Sequence, residues 1–268
     1  MEKDVIEWLC RLTGAVARLD ENILLAQPRY QDERSLSKYR AQMYSQNGED
    51  GAIAEIFSRI GTETEFFVEI GVGNGLQNNT RFLLEGGWSG IWWEASEKHC
   101  AAIRAGFAKE LAEGRLTLIE GFVTRENALS GLRDVSCHEE FDLLSIDVDM
   151  NTSHIWQALD CLRPRVAVIE YNQNVPPSMS WEVEYHADAQ WRGDNLFGAS
   201  LKRLEQIGDE LGYRLVGCEL TGINAYFVRQ DLCTEDKFLA PFTAEHHYEP
   251  PRLHFLHCGR GHRAAKRP

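Results

Sequence analysis

The chain has 268 residues, 43% of them hydrophobic and 26% charged, and its 41 acidic against 28 basic residues give a formal net charge of −13 at pH 7. A surface this negative repels phosphate backbones, which argues against nucleic acid as a partner and favours a small-molecule substrate. No apolar run reaches the ~20 residues that span a bilayer, the N-terminus lacks the regions of a signal peptide, and the seven cysteines form no C-x-x-C pair. We therefore expect a cytoplasmic protein with reduced thiols and no membrane partner.

The first segment predicts a helix. Between residues 4 and 25 apolar residues recur in steps of four and three, which gives one helical stripe that ends before Pro28. The stripe consists of Val5, Leu9, Leu12, Val16, Leu19 and Ile23. This helix either packs on the main domain or serves as a lid or dimerisation arm, and the second interpretation predicts a homodimer. The predicted organisation is a helical segment at 1–43, an α/β domain at 44–231 and a tail at 232–268.

Short apolar runs then alternate with amphipathic stretches, the pattern of buried parallel strands joined by helices. The predicted strands are 66–70, 90–94, 116–120, 141–147 and 166–170, followed by 213–220 and 224–230. The predicted helices are 80–85, 97–111, 125–132, 153–162 and 199–211. Gly222 and Asn224 mark a turn, so the last two strands should form a hairpin. We predict an α/β fold with a Rossmann-like class I methyltransferase sheet, in which a C-terminal hairpin closes the parallel strands.

A glycine-rich loop follows the first strand and is predicted to open a helix. Glu69, Gly71, Gly73 and Gly75 form the pattern E-x-G-x-G-x-G, and such a loop lets the backbone approach a ligand at the carboxyl edge of the sheet. A dinucleotide-binding loop would need its third glycine at position 76, which is Leu76. The spacing favours S-adenosylmethionine over a nicotinamide cofactor, although a glycine loop can also be a plain turn.

An acidic residue, Glu94, ends the second strand 23 positions after Gly71. A carboxylate at this distance can accept hydrogen bonds from both ribose hydroxyls; the alternative is an ordinary surface carboxylate. Ala95 adjoins this position. Phe122 and Val123, after the third strand, are predicted to form an apolar slot for adenine.

Three further residues are predicted to contact the methionine end of the cofactor: Gln46, Asn78 and Asp147. Gln46 precedes the first strand and would close that end. The alternative is that Asn47 and Asp50 start a helix there.

Several motifs together resemble FkbM-type and related methyltransferases. They are S-Q-N-G-E-D (45–50), V-E-I-G-V-G-N-G (68–75), N-N-T (78–80), L-S-I-D-V-D (144–149), I-E-Y-N (169–172) and G-x-N-A-Y-F-V (222–228). The resemblance covers about residues 44–231; it implies S-adenosylmethionine binding and fixes no substrate. Relatives often read D-x-D-G-x-D where this chain has Met150 and Thr152, which puts in doubt any metal or substrate role at position 152.

Four polar residues follow the fourth and fifth strands: Asp147, Asp149, Glu170 and Asn172. Because neighbouring parallel strands end at the same edge, these side chains should converge, and oxygen ligands of this kind can hold Mg²⁺. Alternatively, Asp147 contacts the methionine amino group or caps the next helix, and Glu170 holds a substrate amine.

The candidate catalytic residues are Asp149, His154, Tyr171 and His186. Asp149 and the histidines are candidate bases, although a lone histidine in a helix is more often structural. Tyr171 could contact the sulfonium by cation–π attraction or simply pack. The polar segment 173–197 is predicted to cover the substrate.

The histidine-rich region 245–262 fits no closed four-ligand zinc motif and predicts a peripheral tail. For the whole chain we predict an S-adenosylmethionine-dependent methyltransferase that acts on oxygen or nitrogen of a small biosynthetic intermediate. The alternatives are an intramolecular cyclase that releases methylthioadenosine and an inactive partner protein that binds the cofactor.

Overall fold

A computed structural model describes residues 2–252 of the chain. Its strands are β1 (Phe66–Ile70), β2 (Ser89–Glu94), β3 (Leu116–Glu120), β4 (Glu140–Ile146), β5 (Arg163–Glu170), β6 (Tyr213–Cys218) and β7 (Asn224–Arg229). Its α-helices are α1 (Glu2–Leu25), α2 (Glu49–Ile60), α3 (Arg81–Glu85), α4 (Glu97–Gly106), α5 (Ala108–Ala112), α6 (Ala128–Asp134), α7 (Thr152–Ala158), α8 (Leu201–Leu211) and α9 (Ala244–His247). Short 3₁₀ turns occupy Pro28–Tyr30, Leu36–Tyr39 and Asp149–Asn151.

The seven strands form one sheet in the order β3-β2-β1-β4-β5-β7-β6. The first five strands are parallel, and β7 runs antiparallel to both β5 and β6. This arrangement confirms the predicted Rossmann-like methyltransferase sheet and its closing hairpin. The strand order reverses between β1 and β4, and in open α/β sheets ligands bind in the crevice at such a point.

Helices cover both faces of the sheet. Alternate strand residues point to opposite faces, so Val68 and Leu144 belong to one apolar cluster while Phe67 and Leu143 belong to the other. On the first face, α8 buries Leu201, Leu204 and Ile207 completely. The hydroxyl of Ser200 begins this helix by accepting a hydrogen bond from the Arg203 N–H at 3.2 Å.

Two helices differ from the prediction. The stretch 97–111 is two helices rather than one, and the break lies at Phe107, whose ring packs against Trp92 at a centroid distance of 4.7 Å. Helix α2 was not assigned a full span from the sequence; it buries Ile53, Ile56 and Phe57 against the second face. Its N-cap is Gly48, without a side-chain cap, and not Asn47.

Helix α1 forms where the sequence predicts it, but its apolar stripe faces away from the domain. Gly14 and Ala17 are buried, and the stripe Val5, Leu9, Leu12, Val16, Leu19 and Ile23 is exposed together with Trp8. Among residues 2–252 no helix has both the length and the apolar character needed to cross a bilayer. Of the histidine-rich region, His246 and His247 end α9, while His254, His257, Cys258 and His262 lie outside the described residues.

Candidate functional site

The glycine loop lies at the carboxyl end of β1, where the strand order reverses. Gly71 has φ of +87° and Gly73 has φ of +57°, in the left-handed region that favours glycine. A Cβ on Gly71 would lie 1.8 Å from the carbonyl oxygen of Asp147, whereas a Cβ on Gly73 would meet nothing within 4 Å. Gly71 therefore lets β1 and β4 pack closely, and Gly73 leaves the backbone open to a ligand.

The carboxylate of Glu94 lies against this loop. Its Oε2 accepts a hydrogen bond from the Gly73 N–H at 2.8 Å, and its Oε1 accepts one from the Ser96 N–H at 2.8 Å. The residue is 8% exposed. Since a carboxylate oxygen can accept two hydrogen bonds, both oxygens retain capacity for ligand hydroxyls.

A cavity of about 620 Å³ opens beside Glu94. Predicted cofactor residues that line it are Gly71, Gly73, Glu94, Ala95, Phe122, Val123 and Asp147. The carbonyl of Gly121 is held by the indole N–H of Trp93 at 2.9 Å, which places the exposed ring of Phe122 at the cavity. The cavity is therefore lined by an apolar ring at Phe122 and by a carboxylate at Glu94.

A second cavity of about 210 Å³ adjoins the first and shares Gly71, Gly73 and Asp147 with it. Three buried amide oxygens among its lining residues, the Oδ1 atoms of Asn47, Asn78 and Asn224, have no hydrogen-bond partner in the described part of the chain. Their amide nitrogens donate to buried carboxylates: Asn47 and Asn224 to Glu49 Oε1, each at 2.8 Å, and Asn78 to Glu69 Oε2 at 2.6 Å. The predicted residue Gln46 also lines this cavity. The walls are thus rich in hydrogen-bond acceptors and suit a cationic donor.

Glu69 builds one wall of the second cavity. Its side chain accepts hydrogen bonds from the N–H groups of Asn79 and Thr80, at 2.8 and 3.0 Å, besides that from Asn78. Burial raises the pKa of Glu69, and these hydrogen bonds oppose the rise. Glu69 therefore fixes the turn after the glycine loop. Gly75 serves packing too, because a Cβ there would lie 2.7 Å from the Trp92 ring.

The carboxyls of Asp147 and Glu170, at the ends of β4 and β5, interact with each other. Burial raises the pKa of both carboxyls; the charge of Asp149 adds to the rise at Asp147, and the charge of Asp147 adds to that at Glu170. Each carboxyl therefore opposes the ionisation of its neighbour, and Asp147 lies at the junction of the two cavities.

Asp149 lines the first cavity, beside Glu94, from a strained backbone position with φ of +57°. Burial raises the pKa of its carboxyl, which makes it a better proton acceptor than an ordinary aspartate. The neighbouring Asn151 is 2% exposed, and its Oδ1 has no partner in the described chain although the residue lines the same cavity. Asn151 was not predicted from the sequence; its place five residues after the end of β4, in the D-x-D-x-N segment, was the available signal.

The predicted residues after β5 take other roles. Asn172 donates to the carbonyls of Asn195 and Phe197, both at 2.9 Å, and so fastens the two ends of segment 173–197. The hydroxyl of Tyr171 is buried and donates to the carbonyl of Glu249 at 2.6 Å. Neither residue lines the two cavities. Within residues 2–252 no group of three His, Cys, Asp or Glu side chains is arranged to hold a metal ion.

Of the two candidate histidines, His154 contacts segment 173–197 and His186 belongs to it. The ring Nε2 of His154 is 2.8 Å from the carbonyl oxygen of Val183, and the carbonyl of His186 accepts from the Asn151 amide at 2.9 Å. His186 lines a third, open cavity of about 900 Å³. This cavity shares Ala189, Gln190 and Trp191 with the first cavity, so the segment borders both.

No family model and no curated protein matches the chain. Among solved structures, an O-methyltransferase from Bacillus cereus in complex with SAH is 20% identical with a TM-score of 0.33; the match covers 58% of this chain and 64% of that one. The glycopeptide N-methyltransferase MtfA complexed with S-adenosyl-L-homocysteine is 15% identical over 78% of this chain and 96% of that one, with a TM-score of 0.42. The methyltransferase domain of bacterial CtHen1-C is 14% identical over 69% and 97%, with a TM-score of 0.43. What this chain binds must follow from its own site.

Proposed function

We propose that this protein is an S-adenosylmethionine-dependent methyltransferase that acts on oxygen or nitrogen of a small molecule. The observation that carries the proposal is the pair of adjoining cavities with shared walls at Gly71, Gly73 and Asp147. One cavity offers an apolar wall and a carboxylate, which suit a nucleoside. The other offers buried oxygen acceptors, which suit the ammonium group of an amino acid. S-adenosylmethionine joins these two chemistries in one molecule.

Each end has a defined set of contacts. Glu94 would accept hydrogen bonds from the ribose hydroxyls, and Phe122 with Val123 would enclose the adenine. At the other end, the free oxygens of Asn47, Asn78 and Asn224 would receive the ammonium protons. When ionised, the carboxyl of Asp147 would favour a positive centre at the junction of the two cavities.

The same walls argue against a nicotinamide dinucleotide. A pyrophosphate needs N–H donors and a nearby helix N-terminus, yet the second cavity presents unpaired amide oxygens and carboxylates. The prediction that the glycine loop opens a helix is wrong: helix α3 begins only at Arg81, after the turn held by Glu69. A phosphate would thus meet repulsion where a dinucleotide needs attraction.

When bound, S-adenosylmethionine supplies an electrophilic methyl group on a sulfonium. The chain would orient the acceptor through the free Oδ1 of Asn151, which can accept a hydrogen bond from an O–H or N–H group. The carboxylate of Asp149 would take the acceptor's proton, since its raised pKa brings it closer to neutral pH. Segment 173–197 would limit the entry of water.

The test is calorimetry with S-adenosylmethionine, S-adenosylhomocysteine and NAD on the unchanged chain and on Glu94→Ala. We expect binding of the first two ligands and roughly 5- to 150-fold weaker binding in the variant, because two hydrogen bonds to a carboxylate are lost. Glu97→Ala, an exposed glutamate three positions away on α4, is the matched control and should bind as the unchanged chain does. Preferred binding of NAD would contradict the proposal.

Product analysis separates the remaining alternatives. Methyl transfer releases S-adenosylhomocysteine. Methylthioadenosine as the product would instead support the intramolecular cyclase. Tight binding with neither product, across a panel of small alcohols and amines, would support the inactive partner protein.

A further inference from the structure

Helix α1 carries its apolar side chains on the outside. Trp8, Val16, Leu19 and Ile23 are between 57% and 69% exposed, and Val5, Leu9 and Leu12 are about half exposed. An amphipathic helix in a globular protein normally turns its apolar stripe towards the core. The residues described up to 252 therefore leave this stripe uncovered.

The opposite face fixes this orientation. Gly14 and Ala17 are buried, and their small size lets the helix lie close to the rest of the chain. Glu21 forms an ion pair with Arg40 at 2.8 Å. Because these contacts hold the polar, small-residue face inward, the apolar stripe remains available to a partner.

The stripe is a heptad pattern of the kind that pairs helices. Counting Leu9 as position a places Leu9, Val16 and Ile23 at a and Val5, Leu12 and Leu19 at d. β-Branched residues at a with leucine at d favour a parallel coiled coil of two helices. Two of the three a residues and two of the three d residues follow this preference.

We propose that α1 pairs with α1 of a second copy of this chain in a parallel two-stranded coiled coil. The stripe repeats over the 24 residues of the helix, which is about 36 Å of length. Seven side chains that are about half exposed or more present roughly 50–80 Å² of apolar surface each. Two such faces bury at most roughly 700–1,100 Å², the size of a weak, concentration-dependent interface.

Charge disfavours a membrane surface as the occupant. Segment 2–25 contains five acidic and three basic residues, whereas helices that lie on anionic membranes are rich in lysine and arginine on their polar face. A second copy brings a stripe of the same apolar character and length. The sequence of α1 alone therefore provides both halves of the interface.

The first experiment measures the mass of the full chain in solution by light scattering and by sedimentation over a range of concentrations. We expect a dimer for the unchanged chain and a monomer for Leu12→Glu with Leu19→Glu, which places charges in two d layers. The matched control, Arg11→Glu with Arg18→Glu, adds the same side chains outside the a and d positions and should remain dimeric. A monomeric unchanged chain, or dimers of equal strength in both variants, would overturn the proposal.

A second experiment fixes the helix direction. In a parallel, in-register pair Leu12 faces Leu12 of the other copy, so Leu12→Cys should form a covalent dimer on mild oxidation. The unchanged chain, treated with the same oxidant, reports the background from its native cysteines. An antiparallel pair would place position 12 near position 16 of the other copy, out of reach of a disulfide between the two introduced cysteines. The parallel arrangement is contradicted if light scattering shows a dimer of Leu12→Cys but a gel without reducing agent shows only the monomer. If the chain binds anionic or neutral phospholipid vesicles and does not form a dimer, the proposal that a second copy covers the stripe is contradicted. Cofactor binding is independent of all these outcomes.

Discussion

Helices α1 and α8 have the same kind of sequence pattern and opposite surroundings. In α8 the apolar residues Leu201, Leu204 and Ile207 are fully buried against the sheet. In α1 the equivalent stripe is open, and Gly14 and Ala17 face inward. Periodicity thus predicts that a helix has an apolar face, but the partner of that face depends on the rest of the chain. The same contrast between covered and open positions recurs in the glycine loop.

The largest effect is expected within that loop. Gly71→Ala places a Cβ 1.8 Å from a backbone oxygen of Asp147, so the chain should lose several kcal/mol of stability or fail to fold. Gly73→Ala meets no atom within 4 Å and should fold, at a cost of about 1–2 kcal/mol for its left-handed backbone. It should nevertheless bind S-adenosylmethionine at least about tenfold more weakly, because the added Cβ would enter the open space that the ligand is proposed to fill beside this backbone.

Gly87→Ala is the control for this pair, because Gly87 also has positive φ and open space around it but lines neither cavity. Denaturation and calorimetry on the three variants separate backbone strain from ligand contact. Equal loss of binding in Gly73→Ala and Gly87→Ala would show that strain alone is responsible.

The next largest effect on stability is expected from the contrast between helices α8 and α1. Leu204→Ala removes a fully buried side chain and should lower the free energy of unfolding by about 2–5 kcal/mol. Leu12→Ala, in the open stripe, should change the unfolding free energy of the monomer by less than about 0.5 kcal/mol. Urea denaturation at protein concentrations below those that support dimers provides the comparison. Similar losses in both variants would mean that α1 is covered within a single chain.

A smaller effect concerns a buried carboxyl near the second cavity. Burial, with the charge of Glu49 next in size, raises the pKa of Glu219 from 4.5 to about 8. The folded chain therefore keeps a proton that the unfolded chain releases, and stability should fall as pH rises from 4.5 through about 8. Glu219→Gln should flatten this part of the profile by about 1 kcal/mol or more. The control is Glu97→Gln, at an exposed position; an unchanged slope in Glu219→Gln would contradict the assignment.

Much of the sheet could be predicted because its strands are continuous apolar runs. The bounds of β1 and β3 coincide with the prediction. Helix breaks were harder, since the interruption at Phe107 depends on its contact with Trp92 rather than on a proline. The glycine loop and Glu94 were found because their spacing reflects a local strand–turn geometry.

The second cavity could not be predicted in full. Asn47 and Asn224 both donate to Glu49, although they are far apart in the chain, and only the insertion of β7 beside β5 brings them together. Strand alternation explains Tyr171: it lies two positions after Ile169 and packs in the same apolar cluster. The predicted assignment of 1–43 and 232–268 as separate segments stays a prediction.

The common wall formed by Gly71, Gly73 and Asp147 has a consequence for small fragments. A ligand that fills both cavities gains from two binding events but loses its rotational and translational freedom only once, so its affinity exceeds what either fragment achieves alone. Adenosine and methionine offered separately each have to bear that cost. Such bivalent binding would let the protein discriminate the proposed sulfonium cofactor from adenosine and from methionine.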